Sequence, residues 1–160
     1  MTSYRQKLQL RWSDMDPNFH LRHSVYYDFG ALMRMNFLTE NGITPALMQE
    51  KMIGPILFRE ECIFKREIHF SDTVEMNVQL VKSTQDMGRW SMTHHIWKNG
   101  DILSAIINID GAWIDTGLRK LTVPPPDFKK AFEALPRAEN FEWVIPVSYT
   151  HLTLPTNREV

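Results

Sequence analysis

Residues 14–26, Asp14-Met15-Asp16-Pro17-Asn18-Phe19-His20-Leu21-Arg22-His23-Ser24-Val25-Tyr26, set two carboxylates, an amide and two imidazoles between a strand pattern and a helix pattern. Nothing else in the chain is as chemically dense. Reactions favour such a junction: the first N–H groups of a helix have no intrahelical partner and can hold developing negative charge beside a carboxylate that moves a proton. Before it, residues 4–12 alternate, with Leu8, Leu10 and Trp12 on one face and Lys7, Gln9 and Arg11 on the other, the period of a half-buried strand. After it, residues 24–38 include Val25, Tyr26, Phe29, Leu32, Met33 and Phe37, with Ser24 placed to cap the helix and Asn41-Gly42 to stop it. A helix apolar over most of its circumference must be wrapped on several sides, and Gly30 near its middle lets one wall come close.

Further on, residues 45–52 predict one or two helical turns opened by a proline, and from Pro55 the pattern turns to strands. Val74, Met76, Val78 and Leu80 alternate with polar residues, as do Trp90, Met92, His94 and Ile96. Gln85-Asp86-Met87-Gly88 and Asn99-Gly100 are turn sequences, the second a strong hairpin signal because both positions tolerate positive φ. Residues 102–114 are apolar on both faces, as in a central strand, and Pro124-Pro125-Pro126 is expected to end the sheet before a short closing helix over 127–135. The order is strand, long buried helix, antiparallel meander. Residues 1–146 are expected to form one domain, and 147–160, which follow no period, a non-native or disordered tail.

Lys and Arg total 18 against 19 Asp and Glu, a formal net charge of −1, so no basic surplus exists to track a phosphate backbone and nucleic acid is not an expected partner. The N-terminus lacks the apolar run of a signal peptide and no segment has the length of a membrane span, so a cytoplasmic protein without membrane attachment is expected. Cys62 stands alone and has no internal disulfide partner. His20 and His23 have metal-like spacing, but no further Cys or His cluster completes a set with Asp14 or Asp16, and neither metal nor cofactor is expected.

Asp14-Met15-Asp16, Asn18, His20 and Tyr26 resemble, position by position, the hotdog-fold thioesterases of the 4-hydroxybenzoyl-CoA thioesterase family. That family places Asp-x-Asp before a His-x-Asn-Asn-x-x-Tyr segment; its acyl-carrier-protein branch uses Asp-x-Asn-x-His. Ser71-Asp72-x-Val74 resembles the family's Gly-Asp-x-Val turn. Arg22-His23 stands where many relatives have Asn-Asn, and Phe19 where many have Gly.

The resemblance implies an α+β hotdog fold, an antiparallel sheet wrapped around a long central helix, assembled as a homodimer or homotetramer. It implies hydrolysis of an acyl-CoA thioester with Asp16 as general base or nucleophile, which Pro17 biases toward an extended backbone. His20 and Asn18 are then expected to orient water or the substrate carbonyl, and the backbone N–H groups of His23 and Ser24 to hold the oxyanion. Tyr26, Met33 and Phe37 become candidates for substrate contact, and Arg89, Lys98, Arg119 and Lys120 for the phosphates of coenzyme A. Against these roles, Asp16 could simply close an Asx-turn, Asp14 is expected to bond loop amides, and Cys62 to fill a core strand. The competing functions are hydrolysis of acyl-carrier-protein thioesters and acyl-thioester binding without turnover.

Overall fold

The computed structural model describes residues 3–145. Residues 147–160, read above as a tail, lie outside them. The chain runs β1 (Arg5–Leu8), a single 3-10 turn (Trp12–Asp14), α1 (His23–Glu40), α2 (Pro45–Lys51), β2 (Ile53–Phe64), β3 (Val74–Asn77), β4 (Gln79–Ser83), β5 (Arg89–Lys98), β6 (Ile102–Asp115), β7 (Lys120–Leu121), α3 (Pro126–Glu133) and β8 (Arg137–Trp143). All eight strands join one sheet. β6 lies between β2 and β5, and the far edge of β5 takes β3 and β4 in succession. β1 pairs antiparallel with β3, and β8 pairs with β4 in the one parallel contact. This is the α+β hotdog architecture, a curled antiparallel sheet holding a central helix.

The inward residues follow the alternation of the sequence. Val74, Met76, Val78, Leu80, Trp90, Met92, His94 and Ile96 are all buried, and α1 lays Val25, Tyr26, Phe29, Gly30, Met33, Phe37 and Leu38 into the same core. At Gly30 an added Cβ would lie 3.2 Å from Arg34 Nη1 and 3.5 Å from the His94 ring, so the glycine does admit a close wall. Around α1 the enclosure is partial: Asp28, Ala31 and Leu32 form an exposed strip. Asn99 and Gly100 take φ of 52° and 95° and turn β5 into β6, while Thr44 caps α2 by accepting from Leu47 N–H at 3.1 Å.

Three expectations need correction. β1 stops at Leu8, and Trp12 is 64% exposed rather than inward, because Asp14 accepts from Arg11 N–H at 2.9 Å and from its guanidinium at 2.9 Å, folding the chain into the 3-10 turn. Ser24 does not cap α1: the helix begins two residues earlier than that cap would set, with Arg22 at the N-cap, because Arg22 N–H is held by Asp14 C=O and Leu21 N–H by Ile68 C=O. Ser24 Oγ instead accepts from Arg22 Nε at 3.0 Å. The prolines do not end the sheet. They start α3, after which the chain returns as β8 along β4, with Leu80 N–H bonding Pro136 C=O.

Candidate active site

The loop between the 3-10 turn and α1 is knotted around Asp16. Its Oδ1 accepts from the N–H groups of Asn18 at 2.9 Å and His20 at 3.1 Å, its own N–H donates to His20 C=O, and Phe19 N–H donates to Asp16 C=O. Asp16 therefore does close an Asx-turn, but with one oxygen only. Oδ2 has no hydrogen-bond partner among the described residues. The turn passes through Phe19 at φ 65°, a conformation glycine adopts freely.

A cleft of about 360 Å³ opens beside this loop, lined by Asp16, His20, Leu21, His23 and Tyr26 on one side and by Phe64, Lys65, Arg66 and Glu67 on the other. The second wall is the end of β2 and the chain that follows it, fixed by Ser104 C=O, which accepts from Lys65 and Arg66 N–H at 2.8 and 3.0 Å. His23 is the first residue of α1, and no backbone acceptor takes its N–H or that of Ser24 among the described residues. The positive end of an 18-residue helix thus meets the cleft that Asp16 lines. Tyr26 packs edge-on against Phe64 with ring centroids 5.0 Å apart; burial first, then the charges of Cys62, Asp16 and Glu67, push its phenol up to about 12. It stays a neutral donor at ordinary pH.

At the rim His20 Nε2 lies 3.2 Å from Glu67 Oε2, and the His20 and His69 rings meet edge-on at 5.0 Å. His20, Glu67 and His69 bring one ligand atom each within 4.8 Å of one another. Among the described residues this is the grouping with metal-ligand spacing, and His23, Asp14 and Asp16 are not in it. Asp14 is fully buried; burial pushes its carboxyl up, but the bonds from Arg11 outweigh this and hold it below the usual range. Cys62 is half-buried, and burial together with Glu60 pushes its thiol up to about 11, opposite to an activated nucleophile.

A family model described as the thioesterase-like superfamily matches residues 10–132. The chain belongs to that superfamily. No curated protein matches it. Among solved structures, it is similar to a Staphylococcus aureus hypothetical protein in complex with CoA, at 12% identity over 96% of this chain and 94% of that one, with a TM-score of 0.77. The DHNA-CoA thioesterase of the same organism aligns at 16% identity over 83% and 90%, with a TM-score of 0.74. A Thermus thermophilus thioesterase complexed with coenzyme A and Zn aligns at 23% identity over 82% and 92%, with a TM-score of 0.67. These likenesses establish the fold.

Of the residues singled out in this thioesterase-like chain, Asp16, His20, His23 and Tyr26 come together on one cleft. Asn18 and Ser24 are exposed and outside its lining. Met33 is fully buried and lines no described cavity, while Phe37 lines a different one further along α1. Arg89, Lys98, Arg119 and Lys120 do not reach the cleft; its cations are Lys65 and Arg66, which the sequence reading missed. Their signal was weak, a pair of basic residues closing an apolar strand. No helix is long and apolar enough to cross a membrane among the described residues.

Proposed function

We propose that this protein is an acyl-CoA thioesterase, hydrolysing an acyl-CoA to a carboxylic acid and CoA. The observation that carries the proposal is that the free oxygen of Asp16 and His23, the first residue of α1, line one cleft, where the helix N-terminus leaves the His23 and Ser24 amides without a backbone acceptor among the described residues. Asp16 acts as general base toward water, or attacks the thioester carbonyl itself to form an acyl anhydride that water then hydrolyses to the carboxylic acid and free Asp16. The amides at the helix N-terminus hold the oxyanion of the tetrahedral intermediate, which collapses to release CoA thiol. The Tyr26 hydroxyl and the His20 side chain border the reacting carbonyl, and Lys65 and Arg66 face the phosphates of the leaving group. In the loop, Asp14-x-Asp16 with His20 and Tyr26 supports the 4-hydroxybenzoyl-CoA branch, while Asp16-x-Asn18-x-His20 fits the acyl-carrier-protein branch as well. The CoA-bound Staphylococcus aureus and Thermus thermophilus proteins lend CoA as the carrier by likeness of fold.

CoA release across acetyl, medium-chain, long-chain and aromatic acyl-CoA esters tests the reading, with Asp16→Asn as paired control. Turnover is expected to fall by about two to four orders of magnitude in the control. Near-normal turnover in the variant removes Asp16 from the mechanism. No release from any ester by the unaltered protein shifts the reading to carrier-protein thioesters or to binding without turnover.

The assembly is proposed to be at least a homodimer through β2. That strand pairs with β6 on one edge and has no partner on the other among the described residues, and Ile63 and Phe64 at its end are 44% and 54% exposed. A twelve-residue strand with an open edge and an exposed apolar end needs covering. Light scattering is expected to give at least twice the chain mass; a monomer at micromolar concentration contradicts it.

A further inference from the structure

A second cavity, about 230 Å³, lies between the later half of α1 and the sheet, lined by apolar residues that include Phe37, Leu57, Met92 and Phe132. Two of its lining residues are not apolar in their chemistry: Arg34 and Trp90. Arg34 is 14% exposed at its side chain and donates from Nη1 to His94 Nε2 at 2.8 Å. Because a guanidinium only donates, Nε2 must accept, and His94 Nδ1–H must donate to Asn77 C=O, 2.8 Å away. That is the one hydrogen bond the Arg34 side chain makes among the described residues; Glu60 Oε2 forms a loose ion pair with it, 4.0 Å from Nη2 and beyond hydrogen-bond reach. Trp90 has its indole N–H buried without a partner. An apolar cavity bordered by a guanidinium that spends one donor on His94 has donors left for an acceptor. A ligand oxygen that takes one of these donors gains a charge-assisted hydrogen bond, stronger than one between neutral groups.

We infer that this cavity receives the far part of an acyl chain bearing an oxygen acceptor, a hydroxyl, carbonyl or carboxylate, and that Arg34 is the residue that selects it. The inference rests on the thioesterase reading for the ester and names its substrate class. From His23 at the cleft to Arg34, eleven residues along α1 at about 1.5 Å each span roughly 16 Å, so the oxygen sits well down a medium or long chain. Hydroxyl and carboxylate share the recognition chemistry; Glu60 nearby favours the neutral oxygen.

The experiment compares kcat/KM for decanoyl-CoA and dodecanoyl-CoA with their ω-hydroxy and ω-carboxy counterparts, in the unaltered protein and in Arg34→Met. The unaltered protein is expected to favour an oxygenated ester by roughly 10- to 100-fold, the worth of a hydrogen bond to a charged group, and Arg34→Met to abolish or reverse the ratio. Should Arg34→Met fail to fold, Arg34→Gln, which keeps a donor for His94, is expected to reduce the ratio. No preference in the unaltered protein, or a preference that survives in the folded variant, overturns the inference while leaving the thioesterase reading intact. If no ester releases CoA, the thioesterase reading fails by itself. Calorimetric binding of decanoate against ω-hydroxydecanoate then decides the cavity: tighter binding of the hydroxy acid that is lost on substituting Arg34 supports it, and equal binding refutes it.

Discussion

On the proposed mechanism Asp16 has two jobs assigned to two oxygens, and substitutions can separate them. Oδ1 ties the loop through the Asn18 and His20 amides, whereas Oδ2 is open to chemistry. Asn retains a carbonyl oxygen for the first job and lacks the carboxylate for the second; Ala lacks both. Urea denaturation is accordingly expected to show Asp16→Asn within about 0.5 kcal/mol of the parent and Asp16→Ala lower by about 1–2 kcal/mol, with turnover lost in both. Equal stability of all three proteins would mean that the loop does not depend on Oδ1. The same loop shows what a sequence reveals at this scale. Its dense polar residues and its spacing were visible in residues 14–26, and so was the departure at Phe19; the backbone there turns through positive φ, which suits the glycine of many relatives better than a phenylalanine. Lys65 and Arg66 were not visible as site residues, because only the pairing of β2 with β6 and the bonds to Ser104 swing them across from Asp16.

At the scale of elements, the strands that alternate cleanly are the ones buried on one face, and the missed strand is the one that is not. β8, Arg-Ala-Glu-Asn-Phe-Glu-Trp, lies at the sheet edge beside β4 alone and keeps most of its residues exposed, so no face of it is selected for apolar side chains. Trp12 misled for the related reason that alternation predicts a face but not where a strand stops. In the middle of the sheet the constraint is tight. Gly111 of β6 stands opposite Trp90 of β5 and Leu57 of β2, just where the register of β2 shifts. A Cβ there would sit 2.4 Å from Trp90 Cη2 and 2.5 Å from the Ile56 carbonyl oxygen. The indole can move only by disturbing Phe132, packed 5.4 Å away, and the carbonyl only by moving β2. Gly111→Ala is therefore expected to lower unfolding free energy by about 1–3 kcal/mol, read as a shift in denaturation midpoint. A variant as stable as the parent would show that β2 and Trp90 yield freely.

For the whole molecule, the placement of a histidine in an otherwise apolar core row couples folding to pH. His94 occupies an inward position of β5 between Met92 and Ile96, and burial first, then the Arg34 charge, pull its imidazole down to about 3 from the usual 6.5, against the opposing bond to Asn77. The folded chain thus refuses a proton that the unfolded chain accepts once pH falls below about 6.5. Stability is at full value above that pH and declines as pH falls toward about 3, the unfolded state binding the extra proton throughout the window. His95, also lowered by burial, adds a loss of the same sign, whereas Asp14 and Asp72, held below the usual carboxylate value of 3.8, add theirs only beneath it. One proton corresponds to about 1.4 kcal/mol per pH unit. Between about pH 6 and pH 4 the unfolding free energy of the parent should accordingly fall more steeply than that of His94→Gln by about this slope, since Gln keeps a donor and an acceptor for Asn77 and Arg34 but does not titrate. Parallel pH profiles for the two proteins would mean that His94 takes up its proton in the folded state, which would require the Arg34 guanidinium to move off Nε2.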